Sequence, residues 1–172
     1  MKDKLVTLQD IESIDQKIIA KILYEAIQFD DRLYKKVQSR LMKNNTATLQ
    51  KQLTKRINSI SRGRKFIEYR YSFELAKDIE LIVDDIKELV EDKRVALKFL
   101  KKLILTDENV FARCDDSSGS VQCSYSYAQD LYKEYAPEYL DEKTLLKEIK
   151  ELLIHEGYRV RDILYEQLRE MF

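Results

Sequence analysis

Apolar residues recur at intervals of three and four positions along most of this chain, and residues that break helices are nearly absent. The first run is Leu8, Ile11, Ile14, Ile18 and Ile22, and similar runs continue to the C-terminus. Such spacing places the apolar side chains on one face of an α-helix. Because only three glycines and one proline occur in 172 residues, turn residues are too few for a sheet. The pattern predicts an all-α fold.

We predict about eight helices joined by short connections. Short connections make consecutive helices antiparallel, so the helices should stack as hairpins, in an irregular helical-repeat-like array or in a bundle. The chain contains no internal repeat of fixed length, which argues against a regular repeat array. The length fits one domain over residues 1–172.

Local signals indicate where the first helices begin and end. Thr7 and Ser13 are both suitable N-caps for a first helix that continues to Ala26. A later helix should end near Gly63, which is free to adopt positive φ. The inward-facing residues of that helix are Leu49, Leu53, Ile57 and Ile60.

The next signals come from aromatic and polar residues. Residues 64–71, "RKFIEYRY", should form an extended or turn segment that packs its rings. Ser72 should then cap a long helix, and the helix after it should reach about Phe111. The inward-facing residues of the long helix are Leu75, Ile79, Ile82, Ile86 and Leu89.

Three further expectations concern the C-terminal third. A helix that begins near Val121 should stop at Pro137. Asp141 should start another helix that ends before Gly157, and a last helix should cover residues 159–171.

Charge is distributed unevenly, although 31 basic and 31 acidic residues cancel over the whole chain. Residues 35–70 contain eleven basic residues and one acid, Glu68, which gives a net charge of +10. Residues 71–92 contain eight acids and two lysines, which gives −6. The candidate binding residues of the basic segment are Lys51, Lys55, Arg56, Arg62, Arg64, Lys65 and Arg70.

Three interpretations of this basic segment fit the sequence. It could bind an acidic protein surface, or it could bind nucleic-acid phosphates, with Phe66, Tyr69 and Tyr71 as stacking platforms. Alternatively, the basic and acidic helices are neighbours that neutralise each other, or are simply solvated. No base-reading motif is present. The two charge blocks could also drive self-association.

The stretch "FARCDDSSGSVQCSYSYA", residues 111–128, interrupts the helical pattern. An EF-hand loop with Gly119 at its sixth position would start at Cys114, where Ca²⁺ requires an oxygen ligand. A zinc site needs about four ligands, and Cys114, Cys123 and His155 have no paired spacing. The sequence therefore predicts neither a metal nor a cofactor.

A small hydrolase that uses Asp115 and Asp116 with His155 is a further alternative. The serines show no nucleophile-elbow pattern, and adjacent carboxylates rarely aim at one atom. We interpret the stretch as a tight interhelical corner in which Ser118 or Ser120 caps the following helix and the acids lie near its positive end. The residues of this corner are Asp115, Asp116, Ser117, Gly119 and Ser120.

The corner also carries a resemblance to a known family. "FARCDDSSGSV" is similar to the DDSDG-type signature of a bacterial family of helical domains of unknown function. Residues 64–86 resemble that family's aromatic lead into a long helix, and residues 95–111 resemble the helix before the signature. The likeness covers about residues 64–136.

Some members of that family lie C-terminal to a SWIM-type zinc finger. This chain has no Cys-x-Cys with a later Cys-x-His, so the finger is absent and no zinc or DNA-binding role is transferred. The resemblance implies an all-helical, bacterial, protein-binding module and supplies no catalytic residues.

We therefore expect a non-enzymatic interaction domain, scaffold-like or adaptor-like, with a protein partner. A nucleic-acid-binding regulator is the alternative, and the hydrolase is the second alternative. The N-terminus is too polar for a signal peptide and no run reaches ~18 apolar residues, so we expect a cytoplasmic protein without membrane contact. Tyrosines suit an interface or the core, and the clustered ones are Tyr125, Tyr127, Tyr132, Tyr135 and Tyr139.

Overall fold

The structure, a computed structural model, describes residues 6–153, 158 and 160–169. Over these residues it contains eight helices of eight or more residues and two helices of five residues, which confirms the all-α prediction. The helices are α1 (Leu8–Glu12), α2 (Gln16–Ala26), α3 (Asp31–Leu41), α4 (Thr46–Ser61), α5 (Tyr69–Leu89), α6 (Lys93–Ile104), α7 (Asp107–Phe111), α8 (Ser120–Tyr139), α9 (Glu142–Leu153) and α10 (Asp162–Arg169).

The chain divides into two compact units, Met1–Gln38 and Ser39–Phe172. In the first unit, the predicted N-cap at Thr7 and the predicted end at Ala26 are confirmed, but the chain between them forms two separate helices, α1 and α2, and Ser13 is not an N-cap. Thr7 caps α1 in a capping box with Asp10, and Asp15 caps α2 by accepting from the Lys17 N–H. A second N-cap inside the run favours a new helix start over continuation. The prediction of one domain stays a prediction.

The second unit has α5 and α8 at its centre. These two long helices pack along each other, and α6 packs against both of them. The residues predicted to face inward on α5 contact this core, with Leu75 partly buried and the other four buried. Burying each of these aliphatic side chains stabilises the fold by about 1.5–3 kcal/mol.

Helix α4 buries the predicted residues Leu49, Leu53, Ile57 and Ile60. The prediction of positive φ at Gly63 is wrong, since Gly119 is the glycine with positive φ among those described. Gly63 instead allows a close approach. A Cβ atom at Gly63 would lie 2.5 Å from Nη2 of Arg113.

The prediction of an extended or turn segment over residues 64–71 is confirmed for residues 64–68 and wrong for residues 69–71, which belong to α5. Ile67 forms an isolated bridge with Cys114, in which Ile67 N donates to Arg113 O at 2.7 Å and Asp115 N donates to Ile67 O at 2.9 Å. The prediction that this segment packs its rings is wrong, because Phe66 is exposed. Its bridging neighbour Ile67 takes the inward position, and adjacent extended residues point to opposite sides.

Two predicted helix ends before residue 111 are also wrong. The long helix begins at Tyr69, and Ser72 lies buried inside it with its hydroxyl donating to Tyr69 O. The following helix ends at Ile104, because the Thr106 hydroxyl donates to Leu103 O at 2.7 Å in a turn before α7. Threonine competes in this way with the helical backbone bonds.

Helix α8 continues through Pro137 to Tyr139, so the predicted stop is wrong. Pro137 is exposed in the last turn, where the carbonyl that loses its helical donor can bind water. Asp141 starts α9 as predicted, and its carboxylate accepts from Thr144 N at 3.0 Å. Gly157 lies outside the described residues.

The C-terminal helix α10 is joined to the core by a buried ion pair. Arg161, immediately before α10, donates from Nε to Asp107 at 2.8 Å and from Nη2 to the other oxygen of the same carboxylate. Its Nη1 also donates to Leu152 O in α9. One guanidinium therefore connects α7, α9 and α10.

Candidate functional site

Three cations form a line along the exposed face of α4. Successive helical residues turn by about 100°, so Lys51, Lys55 and Arg62 lie opposite the buried face that contains Leu53 and Ile57. All three cations are exposed. They are separated along the helix axis by about 6 Å and about 10.5 Å. We call Lys51, Lys55 and Arg62 the α4 stripe.

Short polar side chains flank the α4 stripe. Thr54, Asn58 and Ser59 line a shallow groove together with the three cations, and none of these groove residues is acidic. Short side chains leave room for a bound chain to approach the helix. The groove therefore suits an anionic ligand.

Arg56 belongs to a different environment from its neighbour Lys55. Its Nη1 lies 2.5 Å from Oδ2 of Asp85 on α5, a carboxylate that is completely buried. Asp85 also accepts from the Ser39 hydroxyl at 2.8 Å and from Arg40 Nη1 at 3.3 Å. Arg40 pairs in addition with Glu88. Arg56 and Arg40 therefore bind the chain's own acidic helix.

The basic residues after α4 differ in their partners. Arg64 and Lys65 are exposed, and like the α4 stripe they have no carboxylate within ion-pair distance among the described residues. Arg70 is paired locally, with Nε 3.2 Å from Glu68 and its guanidinium 4.7 Å from the ring centroid of Tyr71. Of the seven candidate residues, five are thus exposed without an ion pair to a described carboxylate, Arg70 is exposed but paired, and Arg56 is bound to Asp85.

Exposed aromatic rings follow the basic residues. Tyr69 and Phe73 are one helical turn apart on α5, with ring centroids 5.6 Å apart in an edge-to-face arrangement. Phe66 precedes them on the extended segment. The exposed fractions are 66% for Phe66, 47% for Tyr69 and 40% for Phe73. We call these three residues the ring patch.

Hydrogen bonds within the interhelical corner occupy its two carboxylates. Asp116 accepts from Val121 N and Gln122 N, each at 2.9 Å. Asp116 thus binds two first-turn amide groups of α8, and Ser118, one of the two predicted caps, accepts from Ser120 N at 3.3 Å. Asp115 accepts from the Ser117 hydroxyl at 2.5 Å. Its carboxylate thus holds the turn before Gly119, whose φ is 71°.

Two further reactive groups near the corner are the thiols of Cys114 and Cys123, which differ in burial. Burial raises the pKa of the Cys114 thiol, which disfavours the reactive thiolate. Cys123 is exposed. Among the residues that the structure describes, no group of three side chains could hold a metal ion. His155 lies outside them.

The clustered tyrosines of α8 mostly fill the core. Tyr125, Tyr132 and Tyr135 are buried. The Tyr132 hydroxyl donates to Glu148 at 2.5 Å, and burial raises the pKa of Tyr132. The Tyr127 hydroxyl donates to Asp84 at 3.0 Å.

Sequence reasoning missed the groove residues of α4 and the inward role of Asp85. A signal for Asp85 exists, because it lies three residues after Ile82 and one before Ile86, at an apolar position of α5. An acid at such a position requires a buried cation. For Thr54, Asn58 and Ser59 the sequence alone carries no distinguishing signal.

Comparison with known proteins gives one family. Residues 5–172 match a family model described as a family of unknown function (DUF6880). Neither a curated protein nor a solved structure matches the chain significantly. None of the described helices combines the length and apolar character that a bilayer crossing requires.

Proposed function

Since the chain belongs to the DUF6880 family, whose function is unknown, we propose that it is a non-enzymatic interaction module whose α4 stripe binds an acidic protein segment. The observation that carries this proposal is the alignment of Lys51, Lys55 and Arg62 opposite the buried face of α4. A scaffold or adaptor role in the bacterial cytoplasm is part of the same proposal.

The neighbouring acids of the chain have partners of their own. Asp85 binds Arg56 and Arg40, Glu88 binds Arg40, and Asp84 accepts from the Tyr127 hydroxyl. Mutual neutralisation therefore explains Arg40 and Arg56, but among the described residues no acid pairs with the cations on the far side of α4. These exposed cations are solvated in the free protein and are available to an external anion.

The aromatic residues favour a protein over single-stranded nucleic acid. Stacking platforms need open ring faces. One face of Tyr71 is occupied by the guanidinium of Arg70. Glu68 also places an acid among these rings, which disfavours a phosphate backbone there.

Fluorescence anisotropy with three labelled probes tests the proposal. The probes are a poly-glutamate peptide, an oligothymidylate and a DNA duplex, each titrated at low and at high salt. We expect the peptide to bind at low salt, and binding to be lost in a triple charge-reversal variant. Its substitutions are Lys51→Glu, Lys55→Glu and Arg62→Glu.

A matched control distinguishes the effect of the α4 stripe on binding from the effect of the changed net charge. The control reverses three exposed lysines elsewhere, Lys98→Glu, Lys143→Glu and Lys150→Glu, and should still bind. Equal loss of binding in both variants, or no peptide binding at low salt, would overturn the proposal. Tighter binding of either nucleic acid, with a steep salt dependence, would establish the alternative function.

A further inference from the structure

We infer that the acidic segment bound by the α4 stripe carries apolar residues at one end, which dock on the ring patch formed by Phe66, Tyr69 and Phe73. This inference rests on the proposed function and specifies the chemistry of its partner. The two sets of residues lie on consecutive segments of the chain, from α4 to the first turns of α5.

Charge alone gives the α4 stripe little selectivity. Exposed ion pairs are weakened by water and salt, so each adds little to binding. Selective interfaces instead combine a few apolar or aromatic anchors with surrounding polar contacts. The cations alone would bind different acidic peptides with similar affinity.

The ring patch supplies the missing anchor surface. Contiguous exposed apolar surface on a folded protein marks interaction sites. Tyr69 and Phe73 are already in mutual contact, with ring centroids 5.6 Å apart. Their edge-to-face geometry leaves an apolar surface that an aliphatic or aromatic side chain can cover.

The α4 stripe and the ring patch are joined by a short connection. Arg62 ends the stripe and Tyr69 begins α5, so six residues lie between them and their Cα atoms are at most about 25 Å apart. Arg64 and Lys65 lie on this connection and are exposed. Cations therefore continue from the stripe toward the rings, and one partner segment can reach both.

Hydrogen bonds hold this connection in place before any partner binds. Arg113 donates from Nη2 to Ile60 O at 2.7 Å and from Nη1 to Lys65 O at 3.3 Å. The bridge between Ile67 and Cys114 fixes the next residues. A surface that is ordered in advance loses less conformational entropy on binding.

The geometry also specifies the order of groups in the partner. Its carboxylates should match cations spaced by about 6 Å and about 10.5 Å along α4. Its apolar side chains should lie beyond Arg62, on the side of Tyr69. Either chain direction satisfies this order, so the test uses both.

Three synthetic peptides of equal length test the inference by anisotropy. One is poly-glutamate. The other two carry a Leu-Phe pair in place of the two N-terminal or the two C-terminal glutamates. We expect at least one of the two to bind the native protein at least about tenfold more tightly than poly-glutamate does. A variant of the ring patch should bind poly-glutamate with unchanged affinity but should lose the tenfold higher affinity for the Leu-Phe peptide. Its substitutions are Phe66→Ser, Tyr69→Ser and Phe73→Ser.

The matched control removes exposed rings elsewhere, with Tyr24→Ser and Phe29→Ser, and should keep the gain. If poly-glutamate binds but neither Leu-Phe peptide binds more tightly, the inference is wrong and the proposed function stands. The inference also fails if the ring-patch variant keeps the higher affinity for the Leu-Phe peptide, or if the control variant loses it. If poly-glutamate itself does not bind, the proposed function fails first.

Discussion

The guanidinium of Arg113 lies directly against the backbone of Gly63, so that a Cβ atom added there would be 2.5 Å from Nη2. The same guanidinium donates to Ile60 O and Lys65 O on either side of this glycine. Gly63 thus packs against a side chain that lies fifty residues later in the sequence.

Replacing Gly63 by alanine should therefore displace Arg113. Losing its two hydrogen bonds should lower the free energy of unfolding by about 1–3 kcal/mol, measured by urea denaturation. In an Arg113→Ala background the same substitution should cost almost nothing, because the clash is gone. Additive effects of Gly63→Ala and Arg113→Ala would contradict this contact.

Asp116 should be the carboxylate that stabilises the start of α8. Asp116→Ala removes the acceptor of Val121 N and Gln122 N and should lower the free energy of unfolding by about 1 kcal/mol. Ser118→Ala, at an exposed position of the same corner, serves as the control and should cost less. Thermal and urea unfolding measure both. A larger loss for Ser118→Ala would show that a serine is the cap.

Asp85 and Glu88 both pair with Arg40, but the two substitutions should differ greatly in cost. Asp85 is completely buried and pairs with Arg56 and Arg40, so Asp85→Ala leaves the largely buried Arg56 without a counterion and should cost about 3–5 kcal/mol. Glu88→Ala at the surface should cost less than about 1 kcal/mol. Urea denaturation compares them. Similar costs would mean that the Asp85 cluster is open to water.

The stability of the fold should decrease at alkaline pH through Tyr127. Burial and the hydrogen bond to Asp84 raise the pKa of Tyr127 to about 12 from a normal value of 10.0. A raised pKa means that the folded state prefers the neutral phenol. This contribution is complete below pH 10 and disappears as the pH approaches 12.

Tyr127→Phe should therefore reduce the loss of stability across this pH interval. Urea denaturation below and above pH 10 measures the difference, and Tyr24→Phe at an exposed tyrosine is the control. If the free energy of unfolding of Tyr127→Phe decreases with pH as steeply as that of the native protein, this hydroxyl does not have the expected role.

The parts of the fold that could be predicted from sequence depend on local spacing. Leu53 and Ile57 on α4, and Ile79 and Ile82 on α5, are buried because residues three and four apart share one helix face. The same rule could not detect that Asp15 starts a second helix. Competing N-caps differ by about 1 kcal/mol, and contacts elsewhere decide between them.

The sequence predicted which cations belong to the candidate site. It did not predict which of them lie on the same exposed surface. The composition of residues 35–70 identified the cations, yet Lys55 and Arg56 have opposite roles although they are adjacent. A turn of about 100° carries Arg56 to the side that faces Asp85. This difference depends on how α4 packs against α5, which local spacing does not reveal.

The pair formed by Arg161 and Asp107 limits how the chain can be shortened in experiments. A fragment ending with α9 would retain the carboxylate of Asp107 in the interior but not the cation that neutralises it. Loss of binding in such a fragment would report a damaged core and give no information about the location of the binding surface. Mapping of that surface should therefore use point substitutions in the full-length chain.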